Sequence, residues 1–372
     1  MSPATLDLQA LQSLRTEFSK SLKDFATSSS AFRILHTIPP TSAPSHGKPI
    51  PTRTLYVLDS SFNPPSKAHS SLVKTALRSK PSKSEKKDQS QGESPRVLFL
   101  LATVNADKKP KPADFEDRIV MMTLAAQDLR SCFSSERPSA SPSISASASA
   151  SVSEASDKSD PPAGRVEAPI IDIGITKLPY FVDKASAITA SNVYENPDRE
   201  DDVVEQIHLT GFDTLLRIFT PKYYPKHDPP LSALEPFLMH HRVRATIRVD
   251  PDSPSENLKD AQKTEVGSST GAGAAPKTPD YTTPEGQMKY LEDIREGSLE
   301  KEGMKREWAD RVDLVVDEGG EAEGVSSTKV RDAVREGNWD QVGELVGPGV
   351  GVWIKERGLY LEGDTDGSRE QS

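Results

Sequence analysis

Cysteine is almost missing from this chain. Cys132 is the only one in 372 residues, which excludes an internal disulfide framework and a zinc cluster built on thiolates, and suits a reducing compartment. Aromatic residues are scarce at 6%, with three tryptophans, and apolar residues together reach only 34%. That is short of the roughly 45% usual in a compact domain, so part of the chain stays outside any core. Net positive charge is lacking too. Against 46 Lys and Arg stand 56 Asp and Glu, a formal charge of -10 with pI near 5.4. Without a basic field the chain cannot hold a polyanion by counterion release, which excludes a general nucleic-acid coat protein. No run approaches the roughly 18 to 20 apolar residues that span a bilayer, and the first residues show no basic-then-apolar leader pattern. The expectation is a soluble intracellular protein, cytoplasmic or nuclear, with neither nucleic acid nor membrane as partner, and with its oligomeric state open.

Four stretches are dominated by Ser, Lys, Asp, Glu, Pro and Gly: 79–95, 131–165, 251–283 and the tail after Leu361. They have almost nothing to bury against the entropy of ordering, and the alternating Ser145 to Ala150 run reads as a flexible linker. Residues 1–50 are expected to form an amphipathic helix and a lead-in, residues 51–361 one folded domain interrupted by the three inserts, and residues 362–372 a tail.

Leu8, Leu11, Leu14, Phe18, Leu22 and Phe25 recur at spacings of three and four, which predicts the helix. Short β-rich apolar runs follow at Thr54 to Leu58, Val97 to Ala102, Ile170 to Ile175, Ile207 to Leu209, Ala245 to Val249 and Val312 to Val316, separated by helical patterns. Strands alternating with helices predict an α/β fold with a doubly wound parallel sheet. Ligands of such sheets bind outside the carboxyl ends of the strands, so the residues after each run matter most.

The first run ends in Asp59-Ser60-Ser61-Phe62-Asn63-Pro64-Pro65-Ser66-Lys67-Ala68-His69, followed by Leu72, Val73, Ala76 and Leu77 at helical spacing. A strand, a tight loop and a helix start offer free N–H groups and partial positive charge to an anion. His69, in the first turn, can add a ring N–H to a phosphate oxygen; read alone, the segment is equally a proline-ended turn with a surface histidine. The second run leads to Asn105-Ala106-Asp107-Lys108-Lys109 and then to Phe115, Arg118, Met121, Met122 and Leu124 on a helix. Lys108 and Lys109 either reach a phosphate or form a solvated charge run, and Arg118 either orients that loop or decorates a helix face.

Ile207 to Leu209 runs into Thr210-Gly211-Phe212-Asp213. Gly211 allows close approach of a ligand to the backbone, and Asp213 either accepts from a ribose hydroxyl or caps a helix. After the last run and an acidic loop comes Val325-Ser326-Ser327-Thr328-Lys329-Val330-Arg331, continuing helically through Val334. Ser and Thr here are ordinary caps when taken alone. Together with Lys329 and Arg331 at a second helix start in the same sheet, they also make a triphosphate cradle.

In this order the motifs resemble the nucleotidyltransferase superfamily, and within it the eukaryotic nicotinamide mononucleotide adenylyltransferases, in a divergent fungal form. The family's Gly-Ser-Phe-Asn-Pro with its downstream histidine is similar to Ser60 to Pro64 plus His69, and its Ser-Ser-Thr-x-x-Arg is intact at Ser326 to Arg331. The lysine pair before an Arg-x-x-Met helix, Gly-x-Asp at Gly211 to Asp213, Val346-Gly347-Pro348, and the ending Val352 to Tyr360 follow in the family's sequence order. Three departures stand out. Ser60 replaces the family glycine, Ser66 stands at the first position of the superfamily's His-x-x-His, and Tyr180 with Phe181 stand where a stacking tryptophan is expected, as stackers or as core aromatics.

The resemblance implies a Rossmann-like sheet of the nucleotidyltransferase type. It also implies attack of a nucleotide phosphate on the α-phosphorus of ATP, with pyrophosphate expelled. Its nucleophile is already an anion, so positioning and charge neutralisation replace a general base. It assigns His69, Lys108 and Arg331 to catalysis, and Ser60, Ser61, Phe62, Lys109, Ser326, Ser327 and Thr328 to ATP. Asn63, Gly211, Asp213 and Phe181 go to the nucleotide and its ribose. Magnesium is expected to bridge substrate phosphates, with no metal ligands from the protein. The competing expectations are a sister nucleotidyltransferase with another acceptor, such as nicotinate mononucleotide, and a nucleotide-binding regulator with impaired turnover.

Overall fold

The computed structural model describes residues 7–38, 52–79, 95–104, 113–135, 167–195, 203–247, 280–281, 283–317 and 320–361. Asp7 opens helix α1 (Leu8–Thr27) by accepting the N–H groups of Gln9 and Ala10, a carboxylate cap where the helix end is positive. The predicted apolar stripe buries Leu11, Phe18 and Phe25, and the helix lies on α3 (Phe115–Ser135). Arg15 fixes that contact with two hydrogen bonds to Asp117, 2.9 and 3.1 Å.

Seven strands form one sheet in the order β1-β4-β3-β2-β5-β6-β7. They are β1 (Phe32–Ile38), β2 (Thr54–Asp59), β3 (Arg96–Ala102), β4 (Ile170–Thr176), β5 (Glu205–Gly211), β6 (Arg242–Ile247) and β7 (Val312–Val316). β1 runs antiparallel to β4 and every other pairing is parallel. From β2 the chain moves outward through β3 to β4, then returns to the other side of β2 to lay down β5, β6 and β7. The order therefore reverses between β2 and β5, the place where doubly wound sheets open a crevice for ligands.

Alternate residues on each strand serve opposite faces. On one face Leu58, Phe99, Ile173 and Leu209 meet α1, α2 (Lys67–Arg78) and α3, together with Val330 and Val334 of α8 (Ser327–Arg335) and Trp353 of α10 (Pro348–Arg357). On the other, Leu55, Val57, Leu98 and Leu100 meet Ile188 of α4 (Phe181–Ala190). There too, Val243 and Ala245 meet α5 (Phe212–Ile218), α6 (Glu235–His240) and α7 (Pro284–Glu296). Helices on both faces explain why β4 is buried at every position, as parallel strands covered twice must be.

The predicted strands are present with shifted ends, and β1 adds one that the sequence did not announce. β6 begins at Arg242, three residues before the apolar run. Arg242 and Arg244 enter the sheet because Asp313 of β7 receives both guanidiniums, at 2.8 and 3.2 Å.

Candidate active site

β2 delivers Asp59 to the switch point, and the Ser60 N–H bonds to the Leu100 carbonyl of β3. Phe62 then takes a left-handed backbone (φ 45), held there by a fully buried ring that stacks on Phe99 at 5.4 Å and lies 5.1 Å from the His69 ring. The Asn63–Pro64 peptide is cis. Ser66 precedes α2, and His69 is in the first turn of that helix.

His69 is fixed by its neighbours. Its Nδ1 accepts the Ser66 N–H at 3.0 Å, with the Ser66 hydroxyl also at 3.0 Å. An N–H can only donate, so the neutral ring carries its hydrogen on Nε2, which faces the Ser60 hydroxyl at 2.9 Å. Both serine departures from the family pattern thus touch this histidine. Ser66 sets its tautomer, and Ser60 engages the nitrogen that a phosphate oxygen would need.

The second helix start is seated directly on this loop. Ser326 caps α8 by accepting the Lys329 N–H at 3.2 Å. The Ser327 hydroxyl donates to the Pro64 carbonyl at 2.8 Å. Arg331 donates to the Asn63 carbonyl at 2.8 Å and to the Thr328 hydroxyl at 3.1 Å. The amino ends of α2 and α8 therefore flank one junction, each with free N–H groups and positive dipole character. Ser61 and Thr328 are exposed there, while Ser60, His69, Ser326, Ser327 and Arg331 are half-buried.

The chain's ending supports the junction from behind. Tyr360 donates to Asn63 Oδ1 at 2.9 Å, and the buried Trp353 donates through Nε1 to Asp117 at 3.2 Å. Arg118, one helix position on from Asp117, is 5% exposed and donates through Nε to the Ala113 carbonyl at 2.9 Å. It thus ties down the residue where the chain re-enters α3. Lys108 and Lys109 lie outside the described residues.

At the end of β5, Gly211 is the N-cap of α5, and Asp213 is a half-buried member of its first turn, so the capping alternative for Asp213 falls away. Three side chains expected at the ligand are otherwise engaged. The Phe62 ring is core, which leaves its backbone to face the crevice, and the Asn63 amide oxygen is held by Tyr360. The Phe181 ring sits in an aromatic cluster, 4.4 Å from His208 and 5.0 Å from Phe237. The neighbouring Tyr180 is 46% exposed, so it is the aromatic with an open face in that loop.

Sequence reasoning missed Lys184 and Asp59, which form a hydrogen-bonded ion pair across the face of the sheet bearing α4. The available signal was a lysine on the apolar stripe Phe181, Lys184, Ala185 and Ile188. It also missed the polar line Gln206, His208 and Thr210 on β5. His208 Nε2 lies 3.0 Å from Gln206 Oε1, while its Nδ1 and the Thr210 hydroxyl are buried without a partner. Burial first, then repulsion from His241 and Lys184, pushes the His208 pKa far below its usual value, so the ring is neutral. Among the described residues no group of three or more His, Cys, Asp or Glu could hold a metal ion, and no helix is long and apolar enough to cross a membrane.

No family model matches the chain. In sequence it is 26% identical over 286 residues, 77% of this chain and 78% of the other, to a Schizosaccharomyces pombe protein named "Putative nicotinamide mononucleotide adenylyltransferase". A solved Plasmodium falciparum nicotinic acid mononucleotide adenylyltransferase, complexed with NaAD, aligns over 83% of this chain and 97% of its own at 10% identity, with a TM-score of 0.38.

Proposed function

We propose, for a chain that belongs to the nicotinamide mononucleotide adenylyltransferase family, that it transfers the adenylyl group of ATP to nicotinamide mononucleotide, giving NAD and pyrophosphate. One observation carries this reading. The Ser-Ser-Thr-x-x-Arg helix start is hydrogen-bonded to the Ser-Phe-Asn-Pro loop through Ser327 and Arg331, so one polyphosphate can meet both helix ends.

In this reading the acceptor's phosphate attacks the α-phosphorus in line, an oxygen–phosphorus bond forms, and the bond to the β-phosphate oxygen breaks. No proton must be removed from the nucleophile, and the work is charge neutralisation in a fixed geometry. His69 donates its Nε2 hydrogen to a phosphate oxygen after exchanging its Ser60 partner. Arg331 and the hydroxyls of Ser326, Ser327 and Thr328 bind the developing pyrophosphate together with the α8 backbone N–H groups. Lys108 and Lys109 add cations from the segment after β3. The backbone of Ser60, Ser61, Phe62 and Asn63 lines the space between the two substrates. Gly211 and Asp213 hold a ribose, and Phe181 backs the pocket while Tyr180 offers the ring face. Magnesium enters with ATP, bridging phosphate oxygens as part of the substrate.

The deciding experiment supplies purified full-length protein with magnesium, ATP and either nicotinamide or nicotinate mononucleotide. Dinucleotide and pyrophosphate should appear in equal amounts, faster with the amide. A faster reaction with the acid would move the chain to the sister acceptor. ATP binding without product would favour the regulator, a reading prompted by the Ser60 hydroxyl on His69 Nε2. Absence of both would refute the proposal.

A further inference from the structure

Among the described residues the buried cations Lys184, Arg242 and Arg244 are matched by carboxylates, and so are the half-buried Arg15 and Arg96, whereas Arg118 near the junction is not. Arg96 bonds to Asp172, Arg242 and Arg244 to Asp313, Lys184 to Asp59 and Arg15 to Asp117. Arg118, at 5% exposure, is as deeply buried as Lys184, Arg242 and Arg244 and more so than Arg96 or Arg15, yet no carboxylate among the described residues forms a salt bridge with it. Its Nε is used on the Ala113 carbonyl, its face lies 5.2 Å from the Phe115 ring, and its Nη2 is buried without a partner. The acidic residue that acts on it, Asp114, has a side chain 77% exposed and lies 3.7 Å from Arg15. A second cation, Arg331, acts on Arg118 as well, and burial leads the causes that lower its pKa.

A desolvated, unmatched cation beside a like charge is costly to fold around unless an anion completes it. Arg118 and Arg331 both bear on Tyr360, whose hydroxyl holds Asn63, and Arg331 holds the Asn63 carbonyl. The two guanidiniums therefore belong to one neighbourhood at the switch point, and Arg118 fastens Ala113 at the foot of the segment carrying Lys108 and Lys109.

We propose that Arg118 is a phosphate-binding cation of the nucleotide site, an unmatched charge completed by the polyphosphate that Arg331 grips. This deepens the proposed function by adding a residue to the same site, and it rests on that reading only for the identity of the natural anion. In a low-dielectric setting each charge acts more strongly on the bound anion than it would in water. The unliganded protein bears the cost of keeping Arg118 charged and dry, and the anion relieves it.

The test uses inorganic tripolyphosphate as probe, with full-length protein and no acceptor present, so its outcome does not depend on which reaction follows. Calorimetry and thermal unfolding are measured for the native chain, Arg118→Met and Arg118→Lys. Arg118→Met should bind tripolyphosphate at least about tenfold more weakly, as expected for loss of a charge-assisted contact, while its melting temperature without anion stays level or rises. Arg118→Lys, which keeps the charge but not the fork, should fall between the two. Unchanged affinity in Arg118→Met would overturn the proposal. A fall in melting temperature with native affinity, or failure of that variant to fold together with native affinity in Arg118→Lys, would do the same, because each leaves Arg118 with its tie to Ala113 and no part in binding the anion. Arg118-dependent binding in a protein that forms no dinucleotide would sink the transfer reading and leave this site standing.

Discussion

Two charge clusters at this sheet are built on opposite plans. On β4, Asp172 is fully buried and met from several sides, by Arg96 at 2.8 Å, the Tyr194 hydroxyl at 3.0 Å and the Thr37 hydroxyl at 2.6 Å. That cluster is electrically closed, and it joins β1, β3, β4 and the chain after α4. At the carboxyl ends of β2 and β5, by contrast, Arg331, His69 and Arg118 are held by carbonyls, serines and threonine, without carboxylates among their described partners. Hydrogen bonds there fix positions while leaving charge unneutralised. A closed cluster serves the fold, and the open one, with the two guanidiniums of Arg118 and Arg331, is where we place the polyphosphate.

Breaking the closed cluster should have the largest effect. Asp172→Ala leaves the half-buried Arg96 without its partner, and the expected loss is about 3 kcal/mol of stability, the low end for a broken buried pair, read from denaturant unfolding. Whatever protein remains folded should keep native affinity for tripolyphosphate. A loss confined to affinity would mean that the two clusters are not separate in role.

Arg331→Ala, in the open cluster, should do the reverse. Turnover is expected to fall by roughly 3 kcal/mol in transition-state stabilisation, whereas unfolding loses only about 1 kcal/mol for the bond to the Asn63 carbonyl. The structure gives Arg331 a structural part as well, because this residue also tethers the loop. Comparable turnover in the variant and the native chain would misplace the phosphate site.

Acidification probes a third buried group. His241 accepts the Gln206 N–H at Nδ1, and burial, aided by His240 and Arg311, lowers its pKa from 6.5 to about 4. The unfolded chain then binds the proton more readily than the folded one. The stabilisation is complete above pH 6.5 and is lost as pH falls toward about 4, with a ceiling of roughly 3 kcal/mol. His241→Gln should flatten that part of the profile, and an unaltered profile would show that another group sets it.

The smallest expected change comes from Ser60→Gly, which restores the family residue and removes the hydroxyl facing His69 Nε2. The KM for ATP should fall about threefold, as for one weak competing hydrogen bond. No change would mean that this contact does not restrain the histidine.

Much of this contrast was legible in the residues. Small hydroxyl residues after a β-rich run marked both helix starts, at Ser60 to His69 and at Ser326 to Arg331, which the structure joins through Ser327 and Arg331. Closed charge pairs were not legible, because their partners lie far apart in the chain. Arg242 and Asp313 are 71 residues apart, so the polar start of β6 was left out of the predicted run. β1 was missed because Phe32 to Ile38 mixes Arg33, His36 and Thr37 into its run. Lys184 stood on an apolar helix stripe without any sign of Asp59. The sequence allowed Tyr180 and Phe181 to be stackers or core aromatics, and the structure half-buries Phe181 against His208 and Phe237 while leaving Tyr180 46% exposed.

The central claim is that the two helix starts grip one polyphosphate, and a double-mutant cycle on His69→Ala and Arg331→Ala tests it most directly. With kcat/KM for ATP as the readout, the two losses should be coupled by more than about 1 kcal/mol, since either substitution lets the shared phosphate chain shift. Losses that add to within about 0.5 kcal/mol would place the two residues on separate sites and contradict the account.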